Sequence, residues 1–182
     1  MGYRHDRDEM LAAAMRVALA DGLGALTFRR VAHELGASDR MVVYYFPTKS
    51  DLVVAVVTAL GAQLQATLEV AFGPDPLDAD ELMRRAWPVL ASASAATVFN
   101  RFFEVIGLAL AGQEPYAELA PLLLDGWIDW LAERVRASTA AQRRAIAASV
   151  VARIDGLLLL QSVSGSRTAR AAARELGIVV HP

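Results

Sequence analysis

Between Thr27 and Lys49 the chain reads TFRRVAHELGASDRMVVYYFPTK, two short helix-forming runs around one glycine, and no other stretch limits the fold as much. Thr27 stands where a helix N-cap belongs. Phe28, Val31, Ala32 and Leu35 then recur at the spacing of one buried helical stripe. Gly36 follows where the backbone must turn left-handed to leave that helix. Ser38 caps a second run, in which Val42 and Phe46, four apart, fall on one face. Two helices broken so tightly are the pattern of a helix-turn-helix.

Opposite Val42 and Phe46 the second helix offers Asp39, Arg40, Met41, Tyr44 and Tyr45, with Lys49 just beyond. In a helix-turn-helix this second helix is carried into the DNA major groove. Arg40 lies in its first turn, and an arginine fork matches the O6 and N7 acceptors of guanine. An ordinary helical hairpin with a solvated polar face is the alternative. Two adjacent tyrosines on so short a helix cannot both be buried, however, so at least one ring stands exposed beside Arg40 and Lys49.

The ordered set Leu11-Ala12-Ala13-Ala14, Gly22, Thr27, Arg29, Val31-Ala32, Leu35-Gly36, Ser38, Tyr44-Tyr45-Phe46, Lys49 and Leu52 closely resembles the N-terminal domain of tetracycline-repressor (TetR) family regulators. Beyond Leu52 the likeness rests only on helical character and length. Many members carry a tyrosine one position before the place of Tyr44 and a histidine at that of Tyr45. Here Val43 and Tyr45 stand there, which leaves that phosphate contact to Tyr44 or Tyr45. The resemblance implies an all-α fold, with residues 1–48 a three-helix DNA-binding domain and residues 49–182 a helical effector-binding and dimerisation domain. The candidate DNA contacts are Arg4, Thr27, Arg29, Ser38, Asp39, Arg40, Met41, Tyr44, Tyr45 and Lys49.

Charge is where that reading is tested hardest. The 182 residues sum to −2, and residues 1–51 hold seven Lys/Arg against seven Asp/Glu. DNA binding therefore has to rest on placement, with Arg4, Arg7, Arg29, Arg40 and Lys49 gathered on one side. A chain 55% hydrophobic and 21% charged is globular and buries a sizeable core. It has no cysteine, and His5, His33 and His181 lack ligand spacing, so neither disulfide nor metal site is expected. No signal peptide is visible. The most apolar runs, Leu52–Ala62 and Ala86–Phe99, fall short of the ~18 residues a spanning helix needs. The expectation is a cytoplasmic protein that uses no membrane and no cofactor.

Periodicity predicts helices over Asp6–Asp21, Lys49–Phe72, Asp78 to about Ser92 with a kink at Pro88, Ala95–Ala111, Tyr116–Ala137, Ala140–Val163 and Ser166–Leu176. Thr48 and Asp51 fit a capping box opening the Lys49–Phe72 helix, which would serve two cores at once. Apolar residues of the two long late helices spread over more than one stripe, so each must bury more than one side. Trp127, Trp130, Leu131, Val150, Ile154, Leu157 and Leu158 are the candidate interface of a homodimer, a four-helix bundle that the resemblance also implies. Gln63, Trp87, Phe99, Asn100, Phe103, Tyr116 and Trp127 are the candidate walls and anchors of a small-molecule site.

No phosphate loop, nucleophile elbow or His–x–x–x–His pair supports an enzyme. The expected function is a repressor of a near-palindromic DNA operator, released by a small-molecule effector. The rival is a helical protein-interaction adaptor without sequence-specific DNA binding.

Overall fold

The computed structural model describes residues 6–179. Apart from one parallel bridge between Leu77 and Val135, every regular element among them is a helix. In order these are α1 (Arg7–Asp21), α2 (Phe28–Leu35), α3 (Asp39–Tyr45), α4 (Lys49–Phe72), α5 (Ala79–Leu90), α6 (Ala93–Leu110), α7 (Tyr116–Ala132), α8 (Ala140–Ser164) and α9 (Ser166–Glu175). The fold is all-α, as the sequence implies.

Local chemistry sets most of the helix ends. Asp6 and Glu9 form a reciprocal capping box at α1, with bonds of 2.8 and 3.2 Å. Thr27 Oγ1 accepts the Arg30 amide at 3.2 Å, and α2 ends on Gly36 at φ 68° and ψ 27°, a conformation only glycine takes freely. Thr48 and Asp51 exchange amide bonds of 2.9 and 3.0 Å at the head of α4. Ser38 differs from its expected role. It takes the extended N-cap backbone, yet its side chain accepts no amide of α3.

The chain divides into two compact units, Met1–Gln63 with Arg101–Ala120, and Leu64–Asn100 with Pro121–Pro182. In the first, Met10, Ala13, Ala14 and Val17 of α1 meet Val31 and Ala32 of α2 and Val42 of α3 in the interior, joined by Phe46. Three helices of this length hold a marginal core. Leu52, Val53 and Val56 of α4 and Val105 of α6, all fully buried, complete it.

In the second unit α5 packs on α8, and α8 on α9. Leu82, Met83, Ala86 and Leu90 are buried on α5, as are Ala147, Val150, Leu157 and Leu158 on α8. The helix predicted to reach Ala137 stops at Ala132. The reason is tertiary: Leu77 donates to the Arg134 carbonyl and accepts from the Arg136 amide, both at 2.8 Å, so these groups are taken from the helical ladder.

Three helices are also longer and more apolar than the sequence runs suggested. α4, α6 and α8 are long and apolar enough to cross a membrane by length and composition. The middle of α6 carries Arg101 and Glu104, and that of α8 carries Arg153 and Asp155. Each such charge costs about 2.5–3.5 kcal/mol at a bilayer centre, so α6 and α8 suit packing against protein better than lipid.

Candidate nucleic-acid interface

α3 is anchored by Val42 at 0% exposure and, just past its end, Phe46 at 1%. Helical spacing then turns Arg40 and Tyr44, four apart, to the opposite face, and both are exposed. Tyr44 is 79% exposed and meets Tyr45 edge to face, ring centroids 5.0 Å apart. Tyr45 and Met41 are half-buried, while Ser38 and Asp39 are exposed. One exposed residue of α3 was passed over on the sequence: Val43, at 40%. Its apolar side chain has the chemistry to meet a thymine methyl group, and its place off the Val42–Phe46 stripe was the signal.

The neutral charge sum is resolved by how the acids are used. Arg30 bonds Asp21 at 2.9 Å and Glu34 at 3.3 Å, and Arg16 reaches Glu34 at 3.1 Å. These bonds, Arg16's first, hold the Glu34 carboxyl below its usual range, while Asp21 raises the Arg30 guanidinium. Asp6 and Glu9 cap α1, and Asp51 caps α4. Arg7 lies over the Phe46 ring, 5.2 Å from its centroid. Among the described residues Arg29, Arg40 and Lys49 are exposed and engage no carboxylate. Thr27 is exposed at the N-cap of α2, and Arg4 lies outside the described residues.

The expected small-molecule residues divide between the two units. Gln63, Phe103 and Tyr116 belong to the first unit; Trp87, Phe99, Asn100 and Trp127 belong to the second. Trp87, Phe99 and Tyr116 are buried, Phe103 and Trp127 half-buried, and Gln63 and Asn100 exposed. Asn100 accepts from the Ser162 hydroxyl at 3.1 Å. Burial raises the Tyr116 hydroxyl pKa, as does the charge of Glu104. A cleft of about 610 Å³ lies along Pro76, Asp129, Val135, Arg136, Ala140 and Arg143, where none of the seven stands.

Of the expected interface residues, Trp127 and Trp130 are half-buried and the other five have little surface in the single chain. Val150, Leu157, Leu158 and Leu131 are at most 4% exposed within the single chain, and Ile154 is 8% exposed. Side chains without surface have none to give a partner. Trp130 packs between Phe72, Trp127 and the Arg134 guanidinium, at 5.9, 5.4 and 4.0 Å. The apolar surface left open on α7 and α8 is Leu122, Leu159, Leu160 and Val163.

One of the polar residues that the sequence places among the aromatics of the second half has no partner. Asp155 of α8 is half-buried and has no hydrogen-bond or ion-pair partner among the described residues, and burial pushes its pKa up to about 6.

Residues 10–56 match the family model for bacterial regulatory proteins, tetR family. Among solved structures, a transcriptional regulator from Rhodococcus sp. Rha1 is similar over 98% of this chain and 100% of its own, at TM-score 0.72 and 20% identity. A TetR transcriptional regulator from Legionella pneumophila is similar over 97% of each chain, at 0.68 and 20%. The multidrug binding protein EbrR, complexed with imidazole, is similar over 100% of this chain and 95% of its own, at 0.68 and 23%. At such identities the likeness is one of fold. No curated protein matches the chain in sequence. The exposed α3 face lies inside the segment that matches the tetR-family model, and the whole chain shares its helical fold with these regulators.

Proposed function

We propose that the chain is a cytoplasmic, homodimeric repressor that reads a near-palindromic operator with α3 and releases it when a small molecule binds. Residues 1–48 do the reading; residues 49–182 hold the effector and the partner. The observation that carries this is the outward face of α3, where Arg40 and Tyr44 stand clear of their own core with unpaired Arg29 and Lys49 in the same unit. Unpaired cations release counterions from DNA, and a free guanidinium can read guanine.

The effector half is supported by EbrR, which shares the fold and is a multidrug binding protein found with imidazole and with proflavin. Asp155, half-buried without a partner, favours an organic cation as the effector here. An effector shifts DNA affinity only by its differential affinity for two arrangements of the protein.

Selection from a random duplex pool tests the reading. The expected product is one motif in two inverted half-sites, bound in a salt-sensitive manner. Failure to enrich any sequence would leave the adaptor. A set of small organic cations that never alters affinity for the selected duplex would remove the effector half alone.

A further inference from the structure

The loop that leads into the helix-turn-helix is held by a carboxylate about eighty residues away. Glu104 Oε1, on α6, accepts the backbone N–H of Leu23 at 3.0 Å and of Gly24 at 3.3 Å. Its other oxygen accepts from Arg101 Nη1 at 2.8 Å, and both side chains are less than one-third exposed. Gly22, the C-cap of α1, sits at φ 90°, and a Cβ there would lie 2.7 Å from Arg101 Nη1. The chain thus has no side chain where the pair must come close. Arg101 Nε is buried with no acceptor, so the guanidinium keeps its place although one of its donors is unsatisfied.

Such a clamp does more than fill space. Hydrogen bonds to an ionised acceptor are stronger than neutral ones. These close on two successive amides of the segment joining α1 to α2, beside Leu23 and Leu26, both fully buried. From Thr27 onward the chain is α2, the αL turn at Gly36 and α3. Whatever fixes residues 22–24 therefore fixes the entry angle of the helix pair whose second member reads DNA. We infer that Glu104, held by Arg101, is a positioning residue for DNA reading, tying the orientation of α3 to α6. This rests on the DNA-reading function proposed above, and the test separates the two.

Glu104→Ala and Glu104→Gln would be compared with the full-length wild type by amide exchange and by binding to the selected duplex. In Glu104→Ala, Leu23 and Gly24 should exchange at least about tenfold faster, the loss expected for charge-assisted bonds. Exchange should also rise along 27–45 and stay unchanged along 140–164. Affinity for the duplex should fall about tenfold with the salt slope unaltered, because Glu104 touches no phosphate. Glu104→Gln keeps an acceptor for Leu23 but loses the charge, and should fall between the two. If Glu104→Ala only lowers the melting temperature, while 27–45 exchange and duplex affinity stay at wild-type values, the contact is merely stabilising and the inference is overturned. A wild type that selects no duplex would count against DNA reading, and the exchange measurement would still decide the clamp.

Discussion

Arg40 and Lys49 carry the same charge but are assigned different work. Arg40 stands in the first turn of α3, opposite the buried Val42, and Lys49 opens α4. Arg40→Ala should cost about 1–3 kcal/mol of binding and relax preference at one base pair of the selected site. Lys49→Ala should weaken every duplex alike and lower the salt slope by about 1. Binding isotherms for both variants at several salt concentrations check this, and identical behaviour would dissolve the division. Asp155 makes a separate residue-level prediction. Its folded pKa, about 6, lies above the ordinary 3.8, so the native state binds the extra proton between those values. The contribution of this one group to stability is then fullest below about pH 4 and is lost as pH rises through 6, by an amount on the order of 3 kcal/mol. Asp155→Asn should flatten that part of the curve and raise the melting temperature at pH 7.5. A variant that melts like the wild type at every pH would show that the carboxylate carries no such penalty.

For elements, the question is what ends them. Gly36 leaves α2 at φ 68° with nothing within 4 Å of a Cβ placed there, so the cost of a side chain is purely one of backbone. Gly36→Ala should lose about 1–2 kcal/mol of stability in urea unfolding. Gly24→Ala, in open space without positive φ, should lose less than about 0.5 kcal/mol. Equal losses would mean that the αL turn is not what Gly36 supplies. The ends that the sequence made legible are of this local kind: the Thr27 cap, the Gly36 exit, and the Thr48–Asp51 box that starts α4 at Lys49. The end it concealed is that of α7, set by Leu77, which lies more than fifty residues earlier in the chain. Glu104 was concealed for the same reason. In the sequence it is one polar residue among the aromatics of the second half, and only the fold brings Leu23 and Gly24 to it. On α3 the spacing foretold the exposed tyrosine, because two adjacent rings cannot share one buried stripe.

At the scale of the whole molecule, spacing separates apolar from polar residues but does not say which chain will bury them. That is why Val150, Leu157 and Leu158, expected at a partner's surface, lie in the interior of this one. The surface that remains is the better guide to association. Leu159 and Val163 of α8 are 50% and 77% exposed and stand four apart on one face, with Leu160 beside them and Leu122 exposed on α7. A single α3, making three or four base contacts of about 1–3 kcal/mol each, cannot choose one site in a genome, whereas two linked copies can. Linking raises the second contact's effective concentration, for a gain of about 10²–10⁴ in affinity. The double variant Leu159→Glu, Val163→Glu should therefore sediment as a monomer at micromolar concentration and lose about that factor on the two-half-site duplex. Because both side chains are exposed in the single chain, its helical circular dichroism should match the wild type. A wild type already monomeric at that concentration, or a double variant still dimeric and tight, would place the association surface elsewhere.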